Sequence, residues 1–153
     1  MPRRLDYIRT SPDAFKALRN LEMTVRSSGI APSLLHLVKL RASYLNGCAY
    51  CVDMHTKDAR AAGESEQRLY GVAVWRETPY FTPRERAAFA WTDSLTRLGD
   101  HGVTDADFRA VREHFSEQEV IQLTFAIVMI NGWNRLAVSL GADVGSYEVP
   151  AKA

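Results

Sequence analysis

The stretch "SEQEVIQLTFAIVMINGWNRLAVSLG" (116–141) decides the fold class, because it has the signals of one long helix. Ser116 and Glu119 form the pattern of a capping box, in which each side chain bonds the other residue's backbone N–H. Gly141 supplies a stop signal. The middle of the stretch is apolar on nearly all sides, which is typical of a helix buried in a domain core or a subunit interface.

The rest of the chain carries the same kind of helix signals. The segment "FTPRERAAFAWTDSLTRLG" (81–99) opens on a second capping box, Thr82 with Glu85, and ends at Gly99. Further helices are predicted within 10–29, 31–47, 48–63 and 103–115. No segment combines the alternation and turn residues of a β-hairpin. The sequence therefore predicts an all-α bundle of six or seven helices, a single domain over residues 1–153.

The composition excludes several classes of protein. The 153 residues are 46% hydrophobic and 24% charged, with a formal net charge of +1, so no charge excess favours nucleic acid or an anionic membrane. The first 15 residues hold no apolar stretch, and the longest apolar run, 123–130, is shorter than the roughly 20 residues of a membrane span. A cytoplasmic protein that uses neither a membrane nor nucleic acid is predicted.

The stretch "NGCAYCVDMH" (46–55) holds both cysteines of the chain. Asn46-Gly47 breaks one helix just before Cys48, so both thiols lie in the first turn of the next helix. A helix start is expected to expose the thiols and to favour the thiolate through its free N–H groups. Cys48, Cys51 and His55 are spaced i, i+3 and i+7, and therefore share one helix face. His55 is placed to exchange a proton with Cys51, which favours redox chemistry.

Two other interpretations of these residues stay open. The cysteines could be buried and inert beside a surface histidine. Alternatively, Cys48, Cys51 and His55 could hold zinc, with His36 of the preceding helix or a water as the fourth ligand. Structural zinc usually serves domains that lack a full core, and this chain has abundant core. Lys39 and Arg41 are interpreted as surface charges, and the alternative is a role in lowering the pKa of the thiols.

The remaining histidines and the tryptophans have simpler interpretations. His101 and His114 stand alone beside a turn and near a helix end, and both are predicted to be structural. Trp75, Trp91 and Trp133 are predicted to be core or interface aromatics.

The stretch "LVKLRASYLNGCAYCVDMHTKDAR" (37–60) resembles the carboxymuconolactone decarboxylase / alkylhydroperoxidase AhpD-like family. The likeness extends through "WRETPYFTPRERAAFAWTDSLT" (75–96) to "INGWNRLAV" (130–138). The resemblance implies an all-helical bundle whose protomers form trimers or hexamers. This agrees with the helix signals and with a long apolar C-terminal helix as the oligomerising element.

The family has two branches, and the cysteine pair is similar to that of the AhpD-like branch. The resemblance implies a thiol-dependent antioxidant that reduces hydroperoxides, without a cofactor. Cys51 would attack the peroxide, Cys48 would close the disulfide, and His55 would relay the proton. An external dithiol or thioredoxin-like reductant would restore the thiols. In thioredoxin-type pairs the first cysteine is the more reactive; we favour Cys51 because His55 is one turn from it and two from Cys48.

The sequence departs from the family pattern at two positions. AhpD-like proteins carry a glutamate twelve residues before the first cysteine to orient the relay histidine, and here that residue is His36. Tyr50 lies between the cysteines, where AhpD itself has histidine. A third interpretation follows from the other branch: His36 and His55 could act as acid and base in a decarboxylase or isomerase of a small organic acid, with the thiols as bystanders.

Overall fold

The computed structural model describes residues 3–99 and 102–150, and every regular element in these ranges is helical. The elements are α1 Tyr7–Thr10, α2 Pro12–Arg26, α3 Pro32–Leu45, α4 Ala49–Ala61, α5 Glu66–Gly71, a 3₁₀ helix Val72–Val74, α6 Pro83–Thr96, α7 Asp105–Arg112 and α8 Glu117–Leu140. The all-α prediction is confirmed. The six predicted helices are α2, α3, α4, α6, α7 and α8; the two additional ones, α1 and α5, are too short to show a helical period.

The helix starts follow the signals in the sequence. Both predicted capping boxes are formed, at Thr82–Glu85 and at Ser116–Glu119. A third box joins Thr104 to Asp107 at the start of α7. These bonds satisfy backbone N–H groups that a helix start otherwise leaves unpaired, so each of these helices begins where its local sequence specifies.

Helix α3 is the centre of the bundle and packs against α4, α6 and α8. It is buried on all sides from Leu37 to Ser43. One apolar cluster lies between α3 and the α2, α6, α7 and α8 helices, and a second lies between α3, α4, α5 and α6 around the fully buried Phe89. Because α3 ends next to Cys48, the best-packed element of the fold positions the cysteine pair.

Helix α8 is buried on one face only. Its inner face carries Asn131 and Asn134, which are buried and hydrogen-bonded within the bundle. Its outer face exposes an apolar stripe of Ile121, Phe125 and Val128. By length and composition alone α8 could cross a membrane, which the short run 123–130 did not indicate. Because its inner face packs in the bundle and buries the side-chain amides of Asn131 and Asn134, α8 is a core helix with one uncovered apolar face.

Arg41 is a buried residue, and its interpretation as a surface charge is wrong. Its guanidinium forms two bonds to the Asp93 carboxylate, Nε to Oδ1 at 2.6 Å and the second to Oδ2 at 3.0 Å. It also donates to the carbonyl oxygens of Val72 and Ala73 at 3.3 and 2.8 Å. A buried guanidinium with all these partners joins α3 to α6 and to the 3₁₀ helix.

Candidate active site

The turn between α3 and α4 positions the two cysteines. Gly47 has a φ of 62°, a conformation that glycine adopts without strain. Asn46 donates from Nδ2 to Oδ1 of Asn131 at 3.0 Å and to Oδ1 of Asn134 at 2.9 Å, both on α8. The turn is therefore fixed to α8, and so is the start of α4.

Cys48 is the N-cap residue of α4, and Cys51 lies in its first turn, as predicted. Their sulfur atoms form a disulfide, and the backbone N–H of Cys51 donates to Sγ of Cys48 at 3.3 Å. The expectation of exposed thiols is wrong, because Cys48 is 1% and Cys51 is 2% exposed. Ala137 of α8, Ala142 and Tyr50 pack around the pair. Both sulfur atoms therefore lie below the surface of the protein.

The two cysteines line different cavities. Cys51 lines a cavity of about 390 Å³, which we call the Cys51 cavity. Cys48 lines a separate cavity of about 120 Å³, the Cys48 cavity. Tyr50 and Ala137 line both cavities, so the two cavities adjoin at these residues. The Cys51 cavity is within the size range of small-molecule sites and has mostly apolar walls, with aromatic side chains at Tyr7, Phe15, Tyr50, Trp133 and Tyr147.

His55 lies one turn beyond Cys51 and lines the same cavity, as the spacing predicted. It is 3% exposed, and neither ring nitrogen has a hydrogen-bond partner among the described residues. Burial lowers the pKa of the imidazole well below its usual value, and the charge of Lys39 and the neighbouring His36 lower it further. His55 is therefore neutral, able to pass a proton and unable to supply a fixed positive charge.

His36 shares a cavity with His55 but with neither cysteine. It lines a cavity of about 250 Å³ with Arg26, Lys39, His55 and Asp58, which we call the His36 cavity. Burial lowers the pKa of His36, and the Lys39 charge adds to this effect. His36 therefore does not replace the family glutamate as an anionic partner of His55.

Lys39 is buried between these cavities, and its interpretation as a surface charge is wrong. It is 5% exposed and lines both the Cys51 cavity and the His36 cavity. Its Nζ lies 3.4 Å from Oε1 of Glu22 on α2, and the same oxygen accepts from Arg26 at 2.9 Å. Glu22 also lines the Cys51 cavity. The acidic residue that lines the Cys51 cavity thus comes from α2 rather than from position 36.

The four residues of the alternative zinc site are not arranged as a metal site. Within residues 3–99 and 102–150, no group of three or more His, Cys, Asp or Glu side chains is placed to hold a metal ion. Both sulfurs are committed to the disulfide, while His36 lines a cavity that neither cysteine lines. The structure brings Cys51 and His55 to one cavity and His36 and His55 to another, so His36 shares no cavity with the cysteines.

Several residues that line the Cys51 cavity were not predicted from the sequence. Glu22 comes from α2, Trp133 from α8 and Tyr147 from the irregular segment after Gly141. Trp133 was interpreted as a core or interface aromatic, yet its buried Nε1 has no partner among the described residues. The Tyr147 hydroxyl donates to Asp58 at 2.6 Å; burial and this carboxylate raise the pKa of Tyr147 to about 12. No local pattern marks these residues, because they meet only in the folded chain.

The other sequence predictions about histidine and tryptophan have simpler outcomes. His114 is partly buried after α7, and its backbone carbonyl accepts from Arg84. His101 lies outside the described residues. Trp75 and Trp91 are buried in the two apolar clusters, as predicted.

Comparison with known proteins identifies the family to which the chain is similar. The profile of the carboxymuconolactone decarboxylase family matches residues 12–94. The uncharacterised protein YdfG of Bacillus subtilis is 37% identical over 146 residues, which are 95% of this chain and 99% of that protein.

Two solved structures extend the comparison to the fold. ATU0492 of Agrobacterium tumefaciens, a protein of unknown function, is 45% identical, with a TM-score of 0.91 over 95% of this chain and 100% of that one. A peroxidase-related protein from Ralstonia eutropha, described as an alkylhydroperoxidase AhpD core, shares the fold with a TM-score of 0.80 at 24% identity, over 91% of this chain and 74% of that one. The chain therefore belongs to the carboxymuconolactone decarboxylase family and has the AhpD-like fold.

Proposed function

We propose that this protein is a thiol-dependent hydroperoxide reductase, an antioxidant dithiol–disulfide oxidoreductase of the AhpD-like type. One observation carries the proposal: the Cys48–Cys51 disulfide, with Cys51 on a ligand-sized apolar cavity that also holds a buried, unpartnered histidine. A cavity of this size and lining suits the organic part of a hydroperoxide. The similar ATU0492 protein has been proposed to be the antioxidant defence protein AhpD, which supports the same activity for this chain.

The reaction starts from the reduced pair. The Cys51 thiolate attacks the terminal oxygen of ROOH, the O–O bond breaks, and Cys51 becomes a sulfenic acid while RO⁻ leaves and takes up a proton to give ROH. The Cys48 thiol then attacks the Cys51 sulfur, which forms the disulfide and releases water. Neutral His55 lies where it can pass a proton within the Cys51 cavity.

An external dithiol closes the cycle. Its thiolate attacks one sulfur of the Cys48–Cys51 disulfide, and its second thiol completes the exchange, so that the protein regains two thiols and the reductant becomes a disulfide. In sum, ROOH and a dithiol give ROH, water and a disulfide. A thioredoxin-like protein in the reducing cytoplasm fits this step, since dithiol reductants are kept reduced there.

The proposal is tested with the reduced wild-type protein and cumene hydroperoxide in a stopped-flow instrument. We expect one molecule of hydroperoxide to be consumed per protein, with loss of both thiols and appearance of one alcohol, because the chain has only these two cysteines. The control is free dithiothreitol at the same thiol concentration and pH. Oxidation of the protein no faster than that of the free dithiol would disprove a peroxidase.

We also propose that the exposed apolar stripe of α8 joins copies of the chain into a trimer or hexamer. Phe125 is 52% exposed between Ile121 and Val128, and continuous apolar surface of this kind is typical of subunit interfaces. The Phe125→Glu variant would place a charge in the interface, and light scattering should show a smaller assembly. Ala17→Glu, at an exposed position on α2, is the control and should leave the mass unchanged. A monomeric wild type would contradict this proposal.

A further inference from the structure

We propose that Lys39, held in place by Glu22, supplies the positive charge that stabilises the Cys51 thiolate and the proton that the departing alkoxide takes up during hydroperoxide reduction. This inference rests on the proposed function and identifies which residues of the chain take the place of the family's glutamate–histidine pair. It makes Lys39 the group that faces the substrate and Glu22 its positioning residue.

The position of Lys39 is the first argument. The side chain leaves the central helix α3, is 5% exposed, and lines the same cavity as Cys51 and His55. A buried ammonium beside a cavity stabilises an anion there far more than a solvated one does, because little water screens the charge. The Cys51 thiolate and the departing alkoxide are the two anions of the proposed reaction, and both form in this cavity.

The state of His55 is the second argument. A relay histidine stabilises a thiolate only when it is protonated, and burial together with Lys39 and His36 keeps the pKa of His55 too low for that. The residue at the family's acidic position, His36, cannot reverse this, because the pKa of His36 is itself lowered. Arg19 also lines the Cys51 cavity but is an exposed residue whose charge is screened by water, so the buried positive charge of the site is assigned to Lys39.

The surroundings of Lys39 make it able to give up a proton. Its pKa lies below the usual value for lysine because burial lowers it; Glu22 opposes the shift and Arg26 adds to it. Asp58 and the two neutral histidines also face it across the His36 cavity. The pKa of Glu22 is lowered: burial raises it, but the charges of Lys39 and Arg26 outweigh burial. Glu22 therefore stays ionised and holds the Lys39 ammonium toward the cavity.

The proton balance closes within one turnover. In the reactive state Lys39 and Cys51 hold one proton between them, the former proton of the Cys51 thiol, as an ammonium beside a thiolate. After the thiolate breaks the O–O bond, Lys39 donates that proton to RO⁻ and becomes neutral again, while Cys51 is a sulfenic acid. The Cys48 thiol proton leaves with the hydroxide of the sulfenic acid as water. No proton beyond those of the two thiols is needed.

The test measures the reactivity of Cys51 alone, in a Cys48→Ser background that leaves it as the single thiol of the chain. Alkylation by iodoacetamide is followed by mass spectrometry across the neutral and alkaline pH range. Adding Lys39→Met should slow alkylation at neutral pH about tenfold or more and move the midpoint of the profile to higher pH, as expected for loss of a nearby opposite charge. Lys39→Arg should keep most of the reactivity. Lys16→Met, at an exposed position on α2, should change nothing.

The role of Glu22 has its own readout in the otherwise wild-type protein. Glu22→Gln removes the charge that holds the pKa of Lys39 up, so Lys39 loses its proton at lower pH. The alkaline limb of the peroxide-reaction profile should therefore move to lower pH. An unchanged alkaline limb would overturn the positioning role of Glu22.

The inference about Lys39 is overturned if the Lys39→Met profile coincides with that of its parent, or if Lys39→Arg is as slow as Lys39→Met. Should Lys39→Met not fold because Glu22 is left unpaired, the Lys39→Met/Glu22→Gln variant removes both charges and is measured instead. A wild-type protein that reacts with no hydroperoxide would disprove the proposed function, while the alkylation profiles would still decide whether Lys39 activates the thiol.

Discussion

Reduced Cys51→Ser protein should react with an organic hydroperoxide about a thousandfold more slowly than the wild type, or not measurably, because it lacks the nucleophile. Cys51 lines the cavity that has the size and apolar walls for an organic hydroperoxide and that also holds His55 and Lys39. Cys48 lines the smaller cavity, away from these groups. The serine hydroxyl is a far weaker nucleophile than a thiolate, so the O–O bond stays intact.

The Cys48→Ser variant is the matched control for this prediction. It should react once, because Cys51 is present, and then stop at the sulfenic acid, because no second thiol captures it. Dimedone labelling followed by mass spectrometry should find the sulfenic acid at Cys51, and excess hydroperoxide should carry it on to the sulfinic acid. A sulfenic acid found at Cys48 of the Cys51→Ser variant would reverse the order of attack.

Replacing Arg41 by methionine should lower the free energy of unfolding by about 3 kcal/mol. The guanidinium holds the Asp93 carboxylate at 2.6 and 3.0 Å and two backbone carbonyls besides. Methionine keeps much of the volume but leaves these carbonyls without a donor in a buried site. Asp93 keeps its contact with Arg76 at 2.7 Å, which limits the loss to the lower end of the range for broken buried pairs.

Urea denaturation followed by circular dichroism would measure this change. Arg60→Met is the control, because Arg60 and Glu66 form an ion pair on the surface with side chains 46% and 55% exposed. Solvent screens such a pair, so its loss should produce no measurable change in stability. Equal stability of the two variants would show that the Arg41 network does not stabilise the fold.

The helices could be predicted from the sequence because their signals are local. The capping boxes at Thr82–Glu85 and Ser116–Glu119 each lie within four residues, and both are present in the structure. The i, i+3, i+7 spacing likewise placed Cys48, Cys51 and His55 on one face of α4. Such features depend on backbone geometry within one or two turns and need no knowledge of tertiary packing.

The burial of the site could not be predicted in the same way. Lys39 finds Glu22 at a separation of 17 residues, and Arg41 finds Asp93 at a separation of 52. The covering of the cysteine pair by Ala137 depends on how α8 packs against the start of α4. One signal was available: apart from His36, Lys39 and Arg41 are the polar residues of the stretch "LLHLVKLRA" (34–42). Charged residues within such an apolar stretch are buried only when they are paired.

The two cysteines line different cavities, and this has a consequence for the proposed cycle. In that cycle the hydroperoxide would react at Cys51 from one cavity, and the protein reductant would attack Cys48 from the other. The disulfide would then carry two electrons between two adjoining cavities, so that neither substrate has to displace the other.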